Sequence, residues 1–302
     1  MGVLPSFATV LPLPSPPNGW YNYGYSISHD GALSLVRVDR DFASLGRREH
    51  YLAWAETRLR LSKLREGVET DAVETGASTW PHVERLPTGS WVVAAARAKP
   101  GSRNARIVDE NGLDETAFEA GDNIVSLIAT TGGIIWTGYG DESTGGPPPA
   151  GHGIASFTSG GVCRWLFDSA DCGIVDCYAL SCNGEDVWAC TYEDFPIIRV
   201  HNGQISLWKN DLRGVTAIAA DGDHVILAGG YPAMLGINED ATDDRLALLR
   251  LDDRGAHLVA EMRIPEVAER DAFLRGRDGV LHIVIGASWV QIAVKDWVSA
   301  LI

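Results

Sequence analysis

The sequence predicts an all-β repeat fold, and three observations carry that prediction. Helical periodicity is scarce along the 302 residues, whereas strand-like runs of four to eight residues recur throughout. One unit returns six times: an apolar or alternating run, a turn ending in glycine, then a second apolar run. Its copies read "SISHDGALSLVRV", "ERLPTGSWVVAAA", "LIATTGGIIWTGY", "ALSCNGEDVWACT", "AIAADGDHVILAG" and "FLRGRDGVLHIVI". Their turn glycines, Gly31, Gly89, Gly132, Gly184, Gly222 and Gly279, lie about 50 residues apart on average, a spacing typical of repeat architectures.

Each unit but the last is followed by a second hairpin with its own glycine, Gly67, Gly112, Gly160, Gly203 or Gly255. Two hairpins make four strands, here lettered A to D. On these units the chain resembles a six-bladed β-propeller of gluconolactonase-like or NHL-like architecture, over essentially its whole length. The resemblance implies a single domain, residues 1–302, with four-stranded antiparallel blades near 20–75, 76–121, 122–172, 173–211, 212–265 and 266–302. No WD dipeptide pattern, kelch glycine pair or Asp-box is present. The sixth unit is short, with only "VLHIVIGASWVQIAVKDWVSALI" after Gly279. An open edge would leave backbone groups unpaired, so the N-terminal strand "FATVLPL", residues 7–13, is expected to close the ring. A helical tail is the alternative reading of "VKDWVSALI".

Composition narrows the partners. With 45% hydrophobic and 22% charged residues the chain can bury a substantial core. A formal net charge of −15 and scattered basic residues argue against nucleic acid. No run of about 18 apolar residues exists, so no membrane span is expected. Residues 1–19 have no positive segment and many prolines, and a cytoplasmic location is the expectation. All five cysteines fall between Cys163 and Cys190 without a C-x-x-C pair, which reads as buried thiols in strands rather than disulfides or zinc ligands. H-E-x-x-H, a P-loop, G-x-G-x-x-G after a strand and G-x-S-x-G are absent, which removes zincin, NTPase, dinucleotide-binding and serine-hydrolase readings.

Length variation points to one face. The two glycines of each unit are separated by 36, 23, 28, 19 and 33 residues in units one to five. Strands do not vary that much, so the extra residues belong to the B–C connections "DRDFASLGRREH", "RAKPGSRN", "YGDESTGGPPPAGHG", "YEDFP" and "YPAMLGINEDATDD". Insertions in repeat folds map to one face, often the binding face. Strand A starts on that face, which places Asn22, Tyr23, Trp80, His82, Asn123, Asp176, Arg213, Arg270 and Asp271 around a channel mouth. The loops add an outer ring of Tyr139, Asp141, Glu142, Tyr192, Glu193, Asp194 and Tyr231, acidic opposite the basic Arg97 and Lys99. Trp136 and Trp188 occupy one aligned position in strand B and read as packing between blades, whereas Trp80 is the tryptophan expected to touch a ligand.

Two function classes follow. The first is a small-polar-molecule-binding propeller acting as a hydrolase or a lyase or cyclase, with His82, Asp176 and Asp271 catalytic. His82 would transfer protons near neutral pH, while Arg213 or Arg270 binds a carboxylate or stabilises an enolate. No cofactor is assigned; were a metal present it would be Ca²⁺ on Asn123, Asp176 and Asp271, hard oxygen ligands as in the gluconolactonase-like enzymes, whose local patterns this chain lacks. The second class is a non-catalytic scaffold holding a protein or peptide on the same loops.

Overall fold

A computed structural model describes residues 4–168, 172–230, 244–268 and 272–302. The chain divides into two compact units: unit I is Pro14–Asp168, and unit II joins Met1–Leu13 to Ser169–Ile302.

After strand β1 (Thr9–Pro12), unit I holds three four-stranded antiparallel ladders. Ladder one is β2 (Tyr21–Ile27), β3 (Leu33–Val38), β4 (Arg58–Arg65) and β5 (Val68–Gly76), with helix α1 (Arg47–Ala53) between β3 and β4. Ladder two is β6 (Pro81–Arg85), β7 (Trp91–Ala95), β8 (Ala105–Val108) and β9 (Asp114–Phe118). Ladder three is β10 (Ile124–Ala129), β11 (Ile135–Tyr139), β12 (Ile154–Phe157) and β13 (Cys163–Leu166).

Unit II repeats the plan. Ladder four is β14 (Asp176–Asn183), β15 (Asp186–Tyr192), β16 (Ile197–His201) and β17 (Gln204–Trp208). Ladder five is β18 (Val215–Asp221), β19 (His224–Gly229), β20 (Arg245–Asp252) and β21 (Gly255–Arg263), followed by α2 (Pro265–Ala268). Ladder six is β22 (Phe273–Arg277), β23 (Val280–Ile285) and β24 (Ser288–Ala293), and helix α3 (Val294–Ser299) follows it. Its fourth strand is β1, antiparallel to β24 from Thr9 opposite Gln291 to Pro12 opposite Ser288. The N-terminal segment therefore supplies the outer strand, and the C-terminal tail is helical as well. Phe7 stacks on Trp297 of α3 at 6.1 Å, which fastens the two ends of the chain together.

The cores lie between successive ladders. In unit I, Val36, Leu59 and Leu61 meet Val83, Trp91 and Val93, while the other face of ladder two sets Val92, Ala94 and Ile107 against Leu127, Ile135 and Phe157. In unit II, Trp188, Cys190 and Ile197 meet Ile218, Val225 and Leu227, and Ile226 and Leu248 meet Leu281, Ile283 and Val290. Ladders two and five are covered on both faces, which explains why strands such as "WVVAA" read as continuous apolar runs. Trp188 packs between ladders as expected; Trp136 is buried 5.1 Å from Trp165 of its own ladder.

Positive φ falls at Gly31, Gly89, Gly184, Gly222 and Gly279 but at Gly133 rather than Gly132, and at Gly161 rather than Gly160. Both slips occur where two glycines adjoin. Three cysteines are buried, but Cys163 is exposed on the outer strand β13 and Cys172 is half-buried, against the expectation of uniformly buried thiols.

The inner strands of unit II press together at their A–B turns. Cys182 of β14 and Arg277 of β22 form a parallel bridge, the Asp278 N–H donates to the Cys182 carbonyl at 2.9 Å, and Asn183 Nδ2 donates to the Ala220 carbonyl of β18 at 2.9 Å. Beside them His282 is buried, stacks on Trp289, and accepts from Trp289 Nε1 at 3.2 Å. Burial first, and then the Arg277 charge, push its pKa down to about 3. A folded pKa below the unfolded value of about 6.5 means that unfolding takes up a proton between those limits, so stability falls as pH drops from 6.5 towards 3. Imidazole NMR signals of His282 are expected to stay neutral down to pH 5 in the folded protein; a midpoint near 6.5 would place the ring in water.

Candidate functional site

Register fixes which groups share an edge in each ladder. Asn22 opposes Arg37, Pro81 opposes Ala95, Ile124 opposes Tyr139, Asp176 opposes Tyr192, and Val215 opposes Gly229. The start of strand A and the end of strand B therefore adjoin, and each B–C connection leaves beside the strand A start. A β-bulge recurs there in ladders one, three, four and five, with Tyr23, Val125, Tyr178 and Thr216 as the extra residues. An extra residue shifts the alternation and re-aims the neighbouring side chains.

In ladder one the connection is built around α1. Glu49 caps it by accepting from the Gly46 N–H at 3.0 Å, the reverse half of a capping box. His50 and Trp54 are four residues apart and so share a face; Phe42 stacks on Trp54 at 4.2 Å and meets His50 at 4.7 Å. With that face anchored, Tyr51 and Leu52 turn outward and are 59% and 60% exposed. Half-buried Trp80 lies 5.7 Å from Tyr51, and Tyr23 packs edge-on against Trp54 at 5.0 Å. Burial pushes the Tyr23 hydroxyl up to about 12, so it stays protonated.

The remaining sequence-predicted residues of unit I fall into place individually. Asn22 is exposed and accepts from Arg37 Nε at 3.3 Å. His82 is half-buried on β6. Asn123 has a φ of +56 and its carbonyl accepts from the Gly140 N–H at 2.9 Å. Tyr139 is a correction: it is not on the rim but fully buried, its hydroxyl donating to the Ala120 carbonyl and accepting from Thr137 Oγ1. The side chain takes the face of β11 that packs against ladder two, a consequence of strand alternation that loop alignment ignores. Asp141 and Glu142 are exposed in a 3₁₀ turn. Arg97 bridges Asp122 and Glu142, so here the basic and acidic sides of the rim neutralise one another. Burial opposes ionisation of Asp122, but the Ala98 N–H and Arg97 outweigh it and hold the carboxyl below its ordinary value.

In unit II, Asp176 opens β14 half-buried. Tyr192 stacks on Tyr178 at 6.1 Å, and both rings meet the edge of buried Phe195. Arg213 lies over Phe195 at 6.0 Å and donates to the Glu193 carbonyl at 3.4 Å, with Asp194 at 3.6 Å. Tyr231, Arg270 and Asp271 lie outside the described residues. Among the described residues no three His, Cys, Asp or Glu side chains gather as metal ligands.

Sequence reasoning passed over Tyr51, Leu52 and Tyr178. The signal for the first two was present in "EHYLAWAE": on a helix this short, five consecutive apolar residues cannot all face inward at 100° per residue.

Repeated four-stranded antiparallel ladders packed face to face define an all-β propeller. No family model and no curated protein matches the chain. Among solved structures, a chain in the "Crystal Structure of Mitotic Checkpoint Complex" is similar at 10% identity and TM-score 0.51, over 92% of this chain and 79% of that one. "YCF48 bound to D1 peptide" is similar at 9% identity and TM-score 0.49, over 96% and 98%. BamB from Moraxella catarrhalis is similar at 13% identity and TM-score 0.42, over 89% and 81%. At these identities the likeness is one of fold.

Proposed function

We propose that this propeller is a binding platform for a basic segment of a protein or peptide, held on Tyr51, Leu52 and Trp80. The observation that carries the reading is the outward display of two large apolar side chains on a helix whose other face is anchored in the core. Contiguous exposed aromatic and aliphatic groups are characteristic of interaction sites, and Tyr and Trp dominate binding energy in them. Burying an exposed leucine completely is worth about 1.5–3 kcal/mol. The net charge of −15 favours a cationic partner. Hydrolase or lyase chemistry, a small polar substrate and Ca²⁺ have no comparable observation behind them; of the residues expected to be catalytic, Asp271 lies outside the described residues.

Selection of lysine-rich peptides from a displayed library tests the reading. Selected peptides are expected to lose at least about tenfold in affinity, about 1.4 kcal/mol, on Tyr51→Ser or Leu52→Ser, measured by fluorescence anisotropy. Val162→Ser, at an equally exposed apolar position in unit I, is expected to change nothing. Equal binding by all three variants would remove the patch from the function.

A further inference from the structure

We infer that unit I carries a second, unrelated binding site: a cleft for one small zwitterion of amino-acid size, at the edge opposite the B–C connections. The cleft measures about 240 Å³ and is lined by Asp71, Val73, Arg85, Trp91, Glu110 and Asn111, with Gly89 at the A–B turn. It brings together the outer strand of ladder one and the A–B and C–D turns of ladder two.

Local structure places each charge. Arg85 and Trp91 are register partners across β6 and β7, and the guanidinium lies over the indole at 5.1 Å. Trp91 is fully buried and gives Arg85 a rigid floor. On β5 the pairing slips between Thr70, opposite Lys63, and Val73, opposite Leu61. Asp71 sits in that bulge with a φ of +55, a left-handed backbone that non-glycine residues rarely adopt inside a strand. The bulge carries its carboxylate to 3.3 Å from Arg85 Nη1. Even so, Nη1 is buried without a hydrogen-bond partner among the described residues. The guanidinium is thus fixed by stacking and by its ion pair with Asp71, and with the side chain still 13% exposed it is the donors other than buried Nη1 that are left for a ligand.

Charge then selects the ligand. An anion alone would find Arg85 but also meet Asp71 and Glu110, and two carboxylates against one guanidinium leave the lining net negative. A cation alone would leave the Arg85 donors unmet, at a desolvation cost. A molecule with both a carboxylate and an ammonium group satisfies the two needs together: the carboxylate on Arg85, where charge-assisted pairing is strongest, and the ammonium towards Glu110. The cleft is smaller than the 300–1,000 Å³ or so typical of drug-sized pockets, which favours a single amino acid over a longer peptide.

The intact chain is titrated with L-alanine, acetate and ethylamine while arginine Nε–H and tryptophan indole signals are followed by ¹H–¹⁵N NMR. L-alanine is expected to give saturable shifts, with acetate and ethylamine each binding at least tenfold more weakly. Arg85→Met, which keeps the aliphatic stem over Trp91, and Glu110→Gln, an exposed change, are each expected to weaken L-alanine at least tenfold. If Arg85→Met does not fold, Glu110→Gln decides. Absence of saturation, equal binding of acetate or ethylamine, or unchanged binding in Glu110→Gln overturns the site.

Discussion

Replacing Arg37 with alanine is expected to cost about 3–5 kcal/mol of folding stability, read from the urea midpoint at constant slope. Arg37 is charged and fully buried on β3. Its Nη1 donates to Glu69 Oε2 at 2.6 Å and its Nε to Asn22 Oδ1 at 3.3 Å. Removing the guanidinium strands a carboxylate that is itself only 17% exposed, with the more distant Arg60 at 3.6 Å as its remaining counter-charge. Burial raises the Glu69 pKa, but the Arg37 hydrogen bond and the Arg37 and Arg60 charges outweigh it, so the net shift is downward. The sign follows from linkage: a depressed folded pKa stabilises above the unfolded value of about 4.3, and that stability is lost as pH falls through the lower folded value. Wild type therefore loses this contribution in acid, whereas Arg37→Ala has little of it to lose. The double variant Arg37→Met with Glu69→Leu is expected to recover more than half the loss, since a buried pair replaced whole by apolar groups costs little. A cost below about 1 kcal/mol for Arg37→Ala would mean that the pair behaves as a solvated surface bridge.

Turn chemistry made the ladders legible. A two-strand hairpin reverses through backbone conformations that glycine adopts without strain, so Gly31, Gly89 and Gly184 mark their turns in sequence as clearly as in structure. Where two glycines adjoin, either can take the strained position, and sequence does not choose between Gly132 and Gly133. Faces were less legible than turns. Strands covered on both sides lose the polar–apolar alternation that assigns direction, and a bulge between Ile124 and Ser126 shifts the parity further. Tyr139 was misassigned for those reasons. The acids next to it lie in an exposed turn, and Glu142 is held by Arg97, 45 residues earlier, a pairing no local pattern announces. The cleft on the opposite edge is less legible still. Asp71 sits in a bulge of β5, Arg85 at the end of β6 and Glu110 in the turn between β8 and β9, and only ladder packing brings them together.

Gly276→Ala is expected to cost about 3 kcal/mol or more, at the upper end of overpacking effects, because the obstacle is backbone. A Cβ built on Gly276 would stand 1.7 Å from the Ile218 carbonyl oxygen, 2.5 Å from its carbon and 2.8 Å from Ala219 Cα. No rotamer change relieves that contact, so β22 must move away from β18. That displacement would strain the Cys182–Arg277 bridge and the Asp278 hydrogen bond to the Cys182 carbonyl, which tie ladder six to ladder four. Gly173 is the matched control in the same unit: a Cβ there meets nothing within 4 Å, so Gly173→Ala is expected to be neutral or slightly stabilising. The two variants separate steric closure from the general entropic effect of adding a methyl group to glycine. Equal urea midpoints would mean that the inner strands of unit II stand apart in solution. A large difference means that they are in contact there, which bars a ligand from passing between β18 and β22.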